Sequence, residues 1–87
     1  MVSVFIPPAW RDLTAGLAEV RLPATNVRQV IEGLEGLYPG IAARALAEDS
    51  LKPGLAVSIN GTISRRGLRA ALPEGTEVHF LPALGGG

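Results

Sequence analysis

One amphipathic helix, bracketed on both sides by β-rich segments, limits the folds open to this chain. Val27, Val30, Ile31, Leu34, Leu37 and Tyr38 recur at i, i+3, i+4, i+7, i+10 and i+11, which is a single helical face. Thr25 or Asn26 can accept hydrogen bonds from the first free N–H groups, and Pro39-Gly40 ends the segment. A helix with one apolar stripe must bury that stripe. A chain of 87 residues has material for one domain and one modest core, burying roughly 60–65% of the surface its unfolded form exposes. The covering layer must therefore come from the flanking strands. Gly33 and Gly36 each lower helix propensity by up to about 1 kcal/mol relative to alanine. One of them is expected to permit a close approach to the sheet.

The strands follow from composition and alternation. Val2-Ser3-Val4-Phe5-Ile6 is apolar, β-rich and halted by Pro7-Pro8. Leu17 to Leu22 alternates apolar and polar with period two and stops at Pro23. The Pro7-to-Gly16 stretch between them is long for a hairpin loop and carries Trp10, which is expected at the edge of the core. Ile41 to Ala47 is alanine-rich and reads as a second, shorter helical segment. Leu55 to Ile59 is a third strand. Asn60-Gly61 tolerates the positive φ angles of a tight hairpin turn, and Thr62-Ile63-Ser64 returns as a short strand. Leu68 to Leu72 is a compact connector, Pro73 to Thr76 a turn, and Thr76 to Pro82 the last strand. This order predicts an α+β fold, a mixed sheet with one main helix packed on one face. The compact solution is the β-grasp, or ubiquitin-like, roll over residues 1–82, with 83–87 as a flexible glycine tail. Val30, Ile31, Leu34, Val57, Ile59, Val78 and Phe80 are expected to be buried.

Composition excludes several function classes. A hydrophobic fraction of 47% with 18% charged residues describes a folded globule. The formal net charge is zero, and seven of the eight basic residues are arginine. Their one cluster, Arg65-Arg66-Gly67-Leu68-Arg69, has no interleaved aromatic to stack on bases and reads as a solvated loop, so no nucleic acid is expected. There is no cysteine, hence no disulfide, thiolate metal site or thiol nucleophile. The lone histidine, His79, has no partner at ligand spacing, so no metal site is expected. No apolar run approaches roughly 18 residues, and no signal segment is visible, so a cytoplasmic protein without a membrane partner is expected. Asp12, Glu32, Glu35, Glu48, Asp49, Glu74 and Glu77 read as solvated charge. With one histidine, no cysteine and no paired carboxylates, the expected number of catalytic residues is none.

The last residues, Leu84-Gly85-Gly86-Gly87, follow a strand directly. Glycine contributes no side chain to a core and loses the most backbone entropy on ordering. A glycine tail is thin, however, and can lie extended in a narrow slot of another protein. Alternation in the strands beside it assigns a face: with Val4, Ile6, Val57, Ile59, Val78 and Phe80 inward, Phe5, His79 and Leu81 point outward. These three are the expected partner-docking residues.

Four features together resemble the ThiS/MoaD family of sulfur carrier proteins: the opening strand Val2–Ile6, the turn Val57-Ser58-Ile59-Asn60-Gly61, the segment Leu72-Pro73-Glu74-Gly75-Thr76-Glu77-Val78, and the ending Phe80-Leu81-Pro82-Ala83-Leu84-Gly85-Gly86-Gly87. The residue before the Gly-Gly pair is itself glycine, a departure that lengthens the tail. Ile6-Pro7, Arg11 and Thr14-Ala15-Gly16 resemble the carriers that feed a cysteine synthase more than the short thiamine-pathway carriers. The resemblance implies that Gly87 is adenylated by a ubiquitin-activating-like enzyme and converted to a thiocarboxylate. Gly85 and Gly86 would pass through that enzyme's channel. A synthase for cysteine, molybdopterin or thiamine would accept the sulfur. No cofactor would be bound here, ATP being used by the activating enzyme. The same activated end would also serve a protein modifier conjugated to lysines, and a plain interaction module with an incidental tail is the third possibility.

Overall fold

The computed structural model describes residues 1–82; the Ala83–Gly87 segment, including the expected tail residues Gly85, Gly86 and Gly87, lies outside the described residues. β1 (Val2–Phe5), β2 (Glu19–Leu22), β5 (Leu55–Ile59), β6 (Thr62–Ile63) and β7 (Glu77–Pro82) form one sheet in the order β2-β1-β7-β5-β6. β1 and β7 run parallel, and every other neighbouring pair is antiparallel. The mixed sheet with one main helix on one face is therefore the roll expected from the strand order.

α1 (Val27–Leu37) begins where its side chains allow. Asn26 Oδ1 accepts from the Gln29 N–H at 2.9 Å, and Thr25 donates through N–H and Oγ1 to Gln29 Oε1 at 2.7 and 2.9 Å. This reciprocal pairing satisfies donors that the first helical turn leaves free. Val27, Val30, Ile31 and Leu34 are buried and join Val2, Val4, Ile6, Val20, Leu22, Val57, Val78 and Phe80 in one core. Two residues depart from expectation, one in the helical stripe and one in β5. Leu37 is 58% exposed, because it lies at the margin of the stripe and is the last residue of α1. Ile59 is half-buried, packed against the core from the end of β5 rather than within it. Of the two helical glycines, Gly33 faces the sheet. A Cβ there would sit 3.4 Å from Leu22, whereas one on Gly36 would meet nothing within 4 Å. Glycine at 33 thus lets the helix ride close on β2 without being sterically demanded.

The segment after α1 differs from the expected second helix over Ile41–Ala47. α2 spans only Ile41–Ala45, and Leu46–Ala47 (β3) turns back on Ser50–Leu51 (β4) as a small hairpin. Glu48 occupies the turn at φ 58°. Helical propensity of the alanines is overridden because the hairpin places Leu46 and Leu51, paired across it, against the core.

Three carboxylates read as solvated have partners: Glu74 pairs with the Met1 ammonium at the surface, and Glu35 and Asp12 tie elements together. Glu35 accepts from the Gly40 N–H at 3.1 Å and the Ala42 N–H at 2.9 Å, capping α2 from the previous helix. Gly40 itself sits at φ 110°, where a Cβ would also press on Leu13 at 3.3 Å, so this turn requires glycine. Asp12 pairs with Arg44 through both carboxylate oxygens, at 2.6 and 2.8 Å, and the same guanidinium donates to the Ala9 carbonyl. The hydrogen bond from Arg44 holds the Asp12 carboxyl below its usual range. Replacing Glu35 with alanine should cost about 0.5–2 kcal/mol, the range for losing a helix cap. Urea denaturation would measure it, and an unchanged midpoint would mean that α2 does not depend on the carboxylate.

Candidate functional site

β7 is the central strand, and its register assembles a row of outward side chains across all five strands. Phe5 pairs with Glu19 and with His79, His79 with Ser58, and Ser58 with Ile63. One step further toward the end of β7, Leu81 pairs with Ala56. The three residues expected to dock a partner, Phe5, His79 and Leu81, are thus on one face, each half-buried. The Phe5 and His79 rings stack at 4.2 Å between centroids with 2° between planes. Stacking removes one face of each ring from water and leaves a flat aromatic platform. Ser58, at the middle of the row, is only 8% exposed, because the larger His79 and Ile63 flank its short side chain.

Ile63, which was not among the expected docking residues, is 53% exposed and extends the apolar row to the sheet edge. Its signal was present: an Asn60-Gly61 turn, with φ 50° and 87°, fixes a two-residue hairpin register and so the face of Ile63. A second omission is a groove of about 240 Å³ beside the platform, lined by Phe5, Pro7, Pro8, Arg11, His79 and Phe80. Arg11 is held at this groove by its Nε, which donates to the Ile6 carbonyl at 3.1 Å. Trp10 lies behind it, 5% exposed and tilted against Phe80 at 5.2 Å. It is a core-edge aromatic, as its setting in the loop suggested.

Along the outward row, Phe5, His79, Leu81 and Ile63 are aromatic or aliphatic, Ser58 lies among them, the Glu19 carboxylate stands at one end and the Arg11 guanidinium at the margin. Among the described residues no cluster of three or more histidines, cysteines or carboxylates could hold a metal ion. No described helix is long and apolar enough to cross a membrane. The described part of β7 ends at Pro82, next to Leu81, so whatever binds the platform stands beside the end of β7.

A mixed five-stranded sheet with parallel first and last strands and one main helix across its inner face defines a ubiquitin-like β-grasp protein. The chain belongs to the ThiS family, whose sequence model matches residues 9–87. It is 33% identical over 93 aligned positions to the sulfur carrier protein CysO of Mycobacterium tuberculosis, covering 99% of this chain and 98% of that one. The structure is similar to CysO of M. tuberculosis, at TM-score 0.88 and 31% identity over 97% of this chain and all of that one. It is also similar to a chain of the BexX/CysO complex of Amycolatopsis orientalis, at TM-score 0.91 and 32% identity over the full length of both. The solution structure of small archaeal modifier protein 1 from Methanosarcina acetivorans matches at TM-score 0.77 and 27% identity, over 99% of this chain and 95% of that one.

Proposed function

We propose that this chain is a sulfur carrier whose Gly87 carboxylate is adenylated by a partner enzyme and then converted to a thiocarboxylate. The observation that carries the reading is the family match running through residue 87. The fold beneath it ends β7 beside a recognition face. A carboxylate is a poor electrophile. Attack of its oxygen on the α-phosphate of ATP forms an acyl adenylate and releases pyrophosphate. A sulfide-level donor then adds to the acyl carbon and expels AMP, and the sulfur remains on Gly87. ATP belongs to the partner's site; this chain is a protein cosubstrate with no catalytic residue of its own, acting in the cytoplasm where ATP is supplied. Gly85 and Gly86 pass through the partner's channel because a thin backbone fits where side chains do not.

The acceptor we propose is a cysteine synthase. Pro7 and Arg11, part of the pattern that resembles carriers of that type, both line the groove beside the Phe5–His79 platform. The CysO likeness of the whole chain supports the same reading. The test is intact mass after incubation with a competent activating enzyme, ATP and sulfide. An exchange of one oxygen for sulfur, located on Gly87 by fragmentation, is expected, and an unchanged mass overturns the proposal. The similarity to a small archaeal modifier protein favours a second reading, conjugation to lysines, which would instead add the mass of the whole chain to target proteins.

Phe5, His79 and Leu81 dock the activating enzyme in this proposal. Leu81→Asp should weaken that complex by about tenfold or more, since a new carboxylate would have to be desolvated against apolar surface. The unfolding midpoint should stay in place because Leu81 is outside the core cluster. Titration calorimetry with the activating enzyme checks this, and equal affinity of the variant would remove the face from the docking site.

A further inference from the structure

The cluster Arg65-Arg66-Gly67-Leu68-Arg69 acquires a fourth arginine in the folded protein. Arg28, from the first turn of α1, joins Arg65, Arg66 and Arg69 around a groove of about 510 Å³. Half of the eight basic residues of a chain with no net charge thus converge on one concavity, against a single carboxylate, Asp49. Of the remaining arginines, Arg21 is likewise exposed without a side-chain partner among the described residues, on β2 away from the groove, and the other two are engaged. Arg44 is clamped by Asp12, and Arg11 bonds the Ile6 carbonyl. Among the described residues, none of the four groove arginines has a side-chain hydrogen bond or an ion pair. All four are exposed, so their guanidinium groups are available to a ligand. The groove also has apolar lining: Leu68 is buried and Leu51 half-buried.

We infer that this groove docks an acidic, leucine-containing segment of a protein partner. Four guanidinium groups supply planar forks that pair with carboxylates two hydrogen bonds at a time. The leucine lining offers apolar contact between them, which an alternating acidic and apolar segment matches and a bare polyanion does not use. Exposure of every arginine makes the groove an open trough rather than an enclosed pocket that would strip water from a small ligand. No aromatic side chain lines it to stack a base.

Its position suits a protein partner. The Ser64 N–H donates to the Val57 carbonyl at 2.8 Å, and Val57 pairs with Phe80. The chain therefore leaves β6 toward Arg65 and Arg66 at the level where β7 approaches Pro82. A protein that receives the segment beyond Pro82 stands at the same end of the sheet as Arg65 and Arg66, while Arg69 and Arg28, beside the Ala70 carbonyl that accepts from Val27 N–H, carry the groove toward the opposite end. The groove would then be a second foothold, separate from the Phe5–His79 platform. The inference rests on charge and shape and does not need the sulfur chemistry of Gly87.

The probe is a short peptide of alternating glutamate and leucine, titrated into the isotope-labelled protein at low salt and followed by amide chemical shifts. The expected result is saturable binding with shifts at Arg28, Ser50, Leu51 and Gly67 to Arg69. Affinity should fall about tenfold or more in the combined variant Arg65→Gln, Arg66→Gln, Arg69→Gln, and should decline as added salt screens the pairs. Leu81→Asp should leave it unchanged. The unfolding midpoint of the arginine variant should match the parent, since exposed, unpaired side chains are removed. Absence of saturable binding, shifts confined to another surface, or unchanged affinity in the arginine variant would each overturn the inference. So would tighter binding of oligothymidylate or of inorganic pyrophosphate than of the peptide, because the groove would then be a site for phosphate anions.

Discussion

Deleting Gly87 is expected to abolish formation of the thiocarboxylate while leaving the unfolding midpoint where it was. The two halves of this result have separate physical grounds. In the proposed chemistry the reacting carbon is the last one of the chain. Removing one residue withdraws the carboxylate from the partner's adenylation site by the length of one residue, about 3.3–3.6 Å in extended backbone. A displacement of even 1 Å at a reacting centre can cost about a hundredfold, so full loss is the expected scale. Stability should hold because the core cluster is drawn from residues between Val2 and Phe80 and glycine adds no side chain to it. Gly86→Val should also impair transfer, by placing a branched side chain in the channel at unchanged chain length. Intact mass of each variant after incubation with the activating enzyme, ATP and sulfide is the measurement. A Gly87 deletion that still acquires sulfur would defeat the carrier proposal. A deletion that lowers the midpoint would show instead that the residue supports the fold.

Leu34→Ala should produce the opposite pattern, a large loss of stability with the sulfur site untouched. Leu34 is fully buried, at the centre of the stripe that joins α1 to the sheet. Truncation removes buried methyl groups and leaves a cavity that the packed neighbours only partly fill, at a cost of about 2–5 kcal/mol. Set against a total stability of roughly 5–15 kcal/mol for a small domain, that is a substantial fraction. Urea unfolding should show the shift as a lower midpoint at constant slope. Leu34→Met, which conserves volume, should cost less than about 1.5 kcal/mol. Near-equal midpoints for the alanine and parent chains would mean that α1 and the sheet do not share one close-packed core. At a temperature where the alanine variant is still folded, its Gly87 should accept sulfur as the parent does.

Much of this architecture is legible along the chain because it depends on local periodicity. The stripe from Val27 to Leu34 faces the core, with Asn26 as its cap; β5 occupies Leu55 to Ile59; Asn60-Gly61 makes the tight turn. Alternation in β1 and β7 likewise assigns Phe5, His79 and Leu81 to the outer face. The family resemblance, carried by motifs spread from Val2 to Gly87, is the ground on which Gly87 is proposed as the reactive end.

Contacts between distant segments are not written in any window of sequence. Glu35 caps α2 because the turn at Gly40 swings α2 back over the end of α1. Asp12 meets Arg44 across 32 positions of chain. Leu46 and Ala47 leave the helix their alanine-rich context favours because burial of Leu46 and Leu51 outweighs an intrinsic preference of less than about 1 kcal/mol per residue. The same holds for the surfaces. Ile63 joins the outer-face row through the β5–β6 register, and Arg28 reaches Arg65, Arg66 and Arg69 through the packing of α1 beside the connector after β6. Periodicity reports which face of an element is buried, since that follows from the geometry of one helix or strand. Which exposed residues become neighbours depends on how the elements cross, and that is settled when the whole core closes.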